Sequence, residues 1–208
     1  MASGNSQIVL PKTALISVAK KAGSVEFARF LAERGTRIIS TGGTAQAIRE
    51  AGIEVLDVSD HTGFPEMFDG RVKTLHPKVH GGLLYRRGVK EDLEDAALHG
   101  INAIDLLVVN FYDFAAEIAK GNVTREQAVE KIDVGGPAMV RAAAKNYVDV
   151  AVVPSFALYE AMMREIAEYG GTSLETREQL MVQVFKITSD YDNQIYRYFA
   201  HEFGFTGM

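Results

Sequence analysis

Short apolar runs alternate with longer stretches of helical spacing along most of this chain. TALISV, residues 13–18, is apolar and partly β-branched, which predicts a strand. After it Val25, Phe27, Leu31 and Ala32 fall on neighbouring turns of a helix. TRIIS, residues 36–40, opens a second unit, with Gly42 and Gly43 at the turn and a helix through Ala47 and Ile48 that Gly52 can stop. IEVLDV, residues 53–58, predicts a third strand. AIDLLVVNF, residues 103–111, is almost continuously apolar, as a strand buried on both faces of a parallel sheet must be, and it is expected at the centre.

DVAVV, residues 149–153, is the last expected strand. Two helices lead to it, one over 124–132 with a Thr124/Gln127 capping box and one over 137–145 opened by Pro137. From Thr172 onward no glycine or proline intervenes until Gly204, and Thr172/Glu175 offers a second capping box. The alternation predicts an α/β fold: a doubly wound, mostly parallel sheet with a C-terminal helical extension from about residue 172. Residues 1–12 are expected to form a flexible extension and residues 13–208 a single domain.

Composition narrows the function. Apolar residues make up 47% of the chain and charged ones 24%, enough for one buried core. A net charge of -5 and a pI near 5.6 argue against nonspecific nucleic-acid binding, which depends on neutralising phosphates. The absence of cysteine excludes disulfides, thiol nucleophiles and Cys-based zinc sites. No apolar run approaches the roughly 18 residues that span a bilayer, and the N-terminus lacks a signal-peptide layout, so a cytoplasmic protein without membrane partners is expected.

Against that acidic background GRVKTLHPKVHGG, residues 70–82, stands out. From Gly70 to Gly88 there are five Lys or Arg residues and no acid, and the glycines and Pro77 predict a loop. Arg71, Lys73 and Thr74 could clamp an anionic or oxygen-rich ligand, whereas Arg86 and Arg87 are expected to be merely exposed. His76 and His80 have a helical metal-ligand spacing, but Pro77 lies between them and no carboxylate completes the set, so metal binding is not expected.

Three further motifs bear on chemistry. STGGT, residues 40–44, joins a strand to a helix, where amides and hydroxyls can hold a phosphate; the competing reading is a glycine turn with Thr44 as helix cap. NFYDF, residues 110–114, ends the apolar strand and makes Asn110 and Tyr112 site candidates, with Phe111 and Phe114 assigned to packing. IDVGGP places Asp133 where it can cap a helix, and RAAAKN puts Arg141 and Lys145 on one face of that helix, close enough to Asp133 to tune its proton affinity.

Taken in order, SVxxKxG, STGGT, TGFPEMFDGRVKTLHPKVHGG, NFY, DVGGPAMVRAAAKN and SLETREQL resemble the IMP cyclohydrolase domain of the bifunctional purine-biosynthesis protein that also carries AICAR transformylase. The resemblance runs from about Thr13 to Phe203. It implies a methylglyoxal-synthase-like fold and closure of the last purine ring, FAICAR to IMP with loss of water, without cofactor or metal. It assigns catalysis to Lys73, Tyr112, Asp133 and Lys145, with Lys145 moving protons, Asp133 orienting and balancing charge, and Lys73 and Tyr112 meeting the developing oxyanion. It assigns substrate contacts to Ser17, Lys21, Ser40, Thr41, Gly42, Gly43, Arg71, Thr74, Asn110 and Val134.

Two departures accompany the resemblance. SVAKKAG replaces the family's SVSDKTG, exchanging a hydroxyl for Ala19 and a carboxylate for Lys20, with Lys20 expected to compensate by charge at the phosphate. NFYDF replaces NLYPF. The chain stops where the bifunctional protein would continue into its transformylase domain, which implies a stand-alone cyclohydrolase or an excised domain. A homodimer and a separate AICAR transformylase are the partners compatible with it. Two other readings share the phosphate turn: a methylglyoxal-synthase-like lyase, and a nucleotide-sensing module that need not keep the four catalytic residues together.

Overall fold

The computed structural model describes residues 7–205. The chain runs β1 (Thr13–Val18), α1 (Ser24–Ala32), β2 (Arg37–Ser40), α2 (Gly42–Glu50), β3 (Leu56–Asp57), α3 (Val58–Thr62), α4 (Pro77–Leu84), α5 (Lys90–Leu98), β4 (Leu106–Asn110), α6 (Phe114–Ile118), α7 (Arg125–Glu130), α8 (Gly135–Lys145), β5 (Ala151–Val153), a 3-10 turn (Phe156–Leu158), α9 (Tyr159–Tyr169) and α10 (Leu174–Glu202).

The five strands are all parallel, in the order β3-β2-β1-β4-β5. Helices cover both faces, so strand residues such as Leu15, Ile16, Leu107 and Val108 lose all contact with water. The middle strand is β1; β4 is interior, between β1 and β5. Strand order reverses between β1 and β4, and the crevice outside their carboxyl ends is where such sheets bind ligands. Ser17 and Asn110 stand at those ends, one register step apart.

Several expectations change. The third strand shrinks to two residues, because helix α3 begins at Val58. The basic segment is not all loop: His76 caps α4 by accepting the Lys78 N–H on Nδ1 at 3.1 Å, and Pro77 takes a first-turn position that needs no donor. Arg87 is not merely exposed, since it pairs with Asp105 at 2.6 Å and donates to the Ile104 carbonyl.

Helix α8 starts at Gly135 and α10 is capped by Ser173 rather than Thr172. Thr172 is instead bridged to Val9. Residues 7–12 are therefore no free extension. Arg177, wholly buried on α10, donates to the carbonyls of Gln7, Tyr147, Val148 and Thr172 and draws that segment onto the domain. The expected extension's residues 1–6 lie outside the described residues. Among the described residues no helix is long and apolar enough to cross a membrane.

Candidate active site

The N-terminus of α2 forms the first half of the site. Strand β2 ends at Ser40, Thr41 takes the cap position in extended geometry, and Gly42 enters the helix at φ +47°, a left-handed value that glycine tolerates best. A side-chain carbon on Gly42 would stand 3.5 Å from Lys73 Nζ, and one on Gly43 would stand 3.5 Å from Lys21 Nζ. Two ammonium groups thus bracket the exposed amides of a helix start, which is the arrangement an oxyanion needs.

The hydroxyls around this cradle have separate duties. Ser17 and Thr41 share a 2.7 Å hydrogen bond beside it. Thr44 does not cap α2; its hydroxyl accepts the Val18 N–H and donates to the Val18 carbonyl, tying the helix to β1. Ser40, fully buried, donates to the Ile16 carbonyl at 2.6 Å, so its side chain serves the sheet.

Asn110 exchanges two hydrogen bonds with the backbone of Lys20, at 2.9 and 3.0 Å, and so fixes the loop that carries Lys21. Lys20 itself reaches Asp113 at 3.0 Å. The two departures from the family pattern are therefore each other's partners, and Lys20 does not compensate at the phosphate turn. Asp113 also caps α6 through the Ala116 N–H; that bond first, and Lys20 second, hold its carboxyl below the usual range.

The second half of the site lies at the start of α8. Asp133 Oδ1 accepts the N–H of Gly136, the second residue of the helix, at 2.8 Å, although the formal cap is Val134. Burial pushes the Asp133 carboxyl above its ordinary value, with the Gly136 N–H acting in the opposite direction. A side chain at Gly136 would collide with that carboxylate at 2.8 Å, and one at Gly135 with the Thr74 hydroxyl at 2.8 Å. Thr74 and Asp133 are thus packed around the same helical turn.

Lys73 and Thr74 join the halves. As consecutive residues, one points its side chain to α2 and the other meets α8. Lys73 also pairs with Glu66 at 2.5 Å across the turn at Phe68, Asp69 and Gly70, all at positive φ. Arg71, by contrast, is paired with Glu130 on α7. Tyr112 is exposed and lines a cavity of about 280 Å³ with Lys20, Asn110, Asp113, Ser155 and Tyr191. Tyr191, which no local motif marks, accepts the Asp133 N–H at 2.7 Å.

Lys145 is not brought to this site. It is the last of the eleven residues of α8 while Asp133 precedes the helix start, so about 16 Å of rise separates them. Its neighbour Asn146 donates to the carbonyls of Leu83 and Tyr85 at the end of α4. The expected mutual tuning of Asp133 and Lys145 within one chain is therefore absent. Arg141 lies over the Phe185 ring. His80 is held below its ordinary value by burial, and no cluster of metal-ligating side chains occurs among the described residues.

Comparison with known proteins places this geometry. The MGS-like domain profile matches residues 23–138, and the AICARFT/IMPCHase bienzyme profile matches residues 143–206. The bifunctional purine biosynthesis protein PurH of Ruminiclostridium cellulolyticum is 51% identical over 193 residues, 93% of this chain. The PurH of Listeria monocytogenes serotype 4b is 52% identical over 195 residues, 94% of this chain. The chain spans 38% of the length of each of these relatives. The crystal structure of ForH superposes with a TM-score of 0.81 at 33% identity, covering 90% of this chain and 96% of that one.

Proposed function

For a chain that belongs to the MGS-like domain family, we propose the activity of an IMP cyclohydrolase, acting in the cytoplasm on FAICAR and releasing IMP and water. The observation that carries the proposal is the junction at Lys73 and Thr74, which joins the lysine-flanked start of α2 to a half-buried carboxylate. Half identity to two PurH proteins and the match to the IMPCHase region support it.

The substrate phosphate sits on the α2 amides beside Lys21, with Ser17 and Thr41 at its side. The carboxamide nitrogen is a poor nucleophile because its lone pair is delocalised, so ring closure needs a base for its proton and donors for the new oxyanion. Asp133 accepts that proton as the C–N bond forms; its raised proton affinity makes it a better base than an exposed carboxylate. Tyr112, with Lys73 released from Glu66, stabilises the charge developing on the formyl oxygen. That oxygen takes back the proton held by Asp133 to become a hydroxyl, then takes a second proton and leaves as water, while the formamide nitrogen gives up its own proton and the C=N bond forms. Asn110 orients the Lys21 loop, and Val134 covers the site with its exposed side chain.

Lys145 enters this scheme from a second copy of the chain, since its own lies a helix length away. A homodimer is thus part of the proposal, and an AICAR transformylase activity supplies FAICAR. Mixing purified protein with FAICAR and following the absorbance of the closed purine ring tests the function. Steady product formation is expected, and a flat trace from folded protein overturns it.

A further inference from the structure

Behind Asp133 stands a residue of the distant helix α10. Tyr191 is 6% exposed, and it completes a stripe of buried positions with Arg177, Leu180, Val184 and Thr188. Core packing would explain its ring but not its hydroxyl. That hydroxyl accepts the Asp133 N–H at 2.7 Å, while the ring packs on Phe111 at 5.2 Å between centroids. Phe111 in turn approaches Gly136 and immediately precedes Tyr112. One side chain therefore touches both segments that carry the reacting groups: the end of β4 through Phe111, and the entry to α8 through Asp133.

We propose that Tyr191 is a positioning residue, whose hydroxyl fixes the Asp133 backbone and thereby holds the Asp133 carboxylate on the Gly136 N–H beside the reaction cavity. The inference rests on the cyclohydrolase reading for its kinetic consequence and on geometry alone for the rest. The N–H of Asp133 precedes the first turn of α8 and has no other acceptor among the described residues. An amide shielded from water on one side and left unpaired is costly, so without the phenol oxygen this half-buried backbone must move toward water. The carboxylate moves with it, and misplacement of a base by even an ångström is expensive in rate.

The groups facing Asp133 are the Gly136 N–H from α8 and the Tyr191 hydroxyl from α10, with Asp192 acting on that hydroxyl from the next position. Burial, the largest influence on Tyr191, pushes its ionisation upward, so the phenol stays neutral through the working range.

The test is Tyr191→Phe, which keeps the ring and removes the hydroxyl, beside Val184→Ala as a control for lost stability on the same helix face. In Y191F kcat falls about tenfold with KM within about twofold, because substrate binding is spared and the transition state is not. The acid limb of its kcat profile moves down by about half a unit, because a carboxylate carried toward water loses part of the burial that raises it, the larger of the two influences on it. V184A lowers the melting temperature without changing kcat or the limb. Carbon-13 NMR titration of the Asp133 carboxyl in wild type and Y191F reads the same displacement without substrate. An unchanged carboxyl titration in Y191F overturns the positioning role, even if the melting temperature falls. Absent turnover in wild type with a displaced carboxyl titration overturns the reaction assignment instead.

Discussion

Lys20 and Lys21 are adjacent lysines with opposite fates. Lys20 pairs with Asp113, and both side chains are substantially exposed, so the pair contributes at most about 1 kcal/mol and leaves Lys20 no role at the cradle. Lys21 stands over Gly43 at the start of α2. Lys20→Ala is therefore expected to hold IMP within about twofold of wild-type affinity, whereas Lys21→Ala weakens it about tenfold or more, the effect of one charge-assisted contact. Titration calorimetry at one fixed ionic strength separates them; equal losses would return Lys20 to the phosphate. Asp133 gives a second prediction at this scale. Burial raises its carboxyl above the ordinary 3.8, so the folded chain binds that proton more tightly than the unfolded one. The stability this confers is complete below 3.8 and is lost as pH climbs through the folded value. Asp133→Asn keeps the oxygen that caps Gly136 but cannot ionise. Urea melts should show it gaining on wild type between pH 4 and pH 7.5, while cyclisation falls by about 100-fold or more. A gap that stays constant over that range would remove burial as the cause.

The elements show which parts of the chain speak locally and which do not. Strands β1, β2, β4 and β5 were legible because burial on both faces demands apolar runs, and the α7 capping box because its two side chains answer one another within four residues. Helix α4 was hidden by its glycines. A side chain at Gly82 would meet the Asn102 carbonyl oxygen at 2.5 Å, so what reads as a loop signal is the close approach of a helix to the segment before β4. Helix α5 buries only Ala96 and has no apolar stripe to read. Within the candidate site, the turn from β2 into α2 was legible because its glycines and hydroxyls are contiguous. Tyr191 was not, because its partner lies 58 residues away. The α2 start also yields a test. Gly43→Ala places a methyl group in ordinary contact with Lys21 at 3.5 Å, so melting should change little while bound phosphate no longer protects the protein. Gly42→Ala, at φ +47°, should in addition lose about 1 kcal/mol of stability. If phosphate still raised the melting temperature of G43A as in wild type, the cradle would not be the anion site.

At the scale of the whole molecule, the direction of α8 relative to the sheet decides what one chain can do. Parallel strands present their carboxyl ends to one side, and Ser17, Thr41, Asn110 and the start of α8 gather there. The helix then returns to the opposite edge to feed β5, and Lys145 travels with it. A catalytic Lys145 must therefore reach the site of another copy, and a closed two-fold dimer would give each site one borrowed lysine. Lys145→Ala and Lys73→Ala should each be inactive alone. Mixed in equal amounts after reversible dissociation, half of the dimers combine one chain of each kind, and each such dimer has one intact site of two, so activity should return to about a quarter of wild type. Recovery of that size requires the lysine to cross between chains, because no arrangement within a chain can combine two separate defects into a working site. A mixture as inactive as its components would place the effect of Lys145 inside its own chain, and full activity of Lys145→Ala by itself would remove the residue from the mechanism. In either of these last two outcomes Asp133, Tyr112 and Lys73 would be left to carry ring closure within a single subunit.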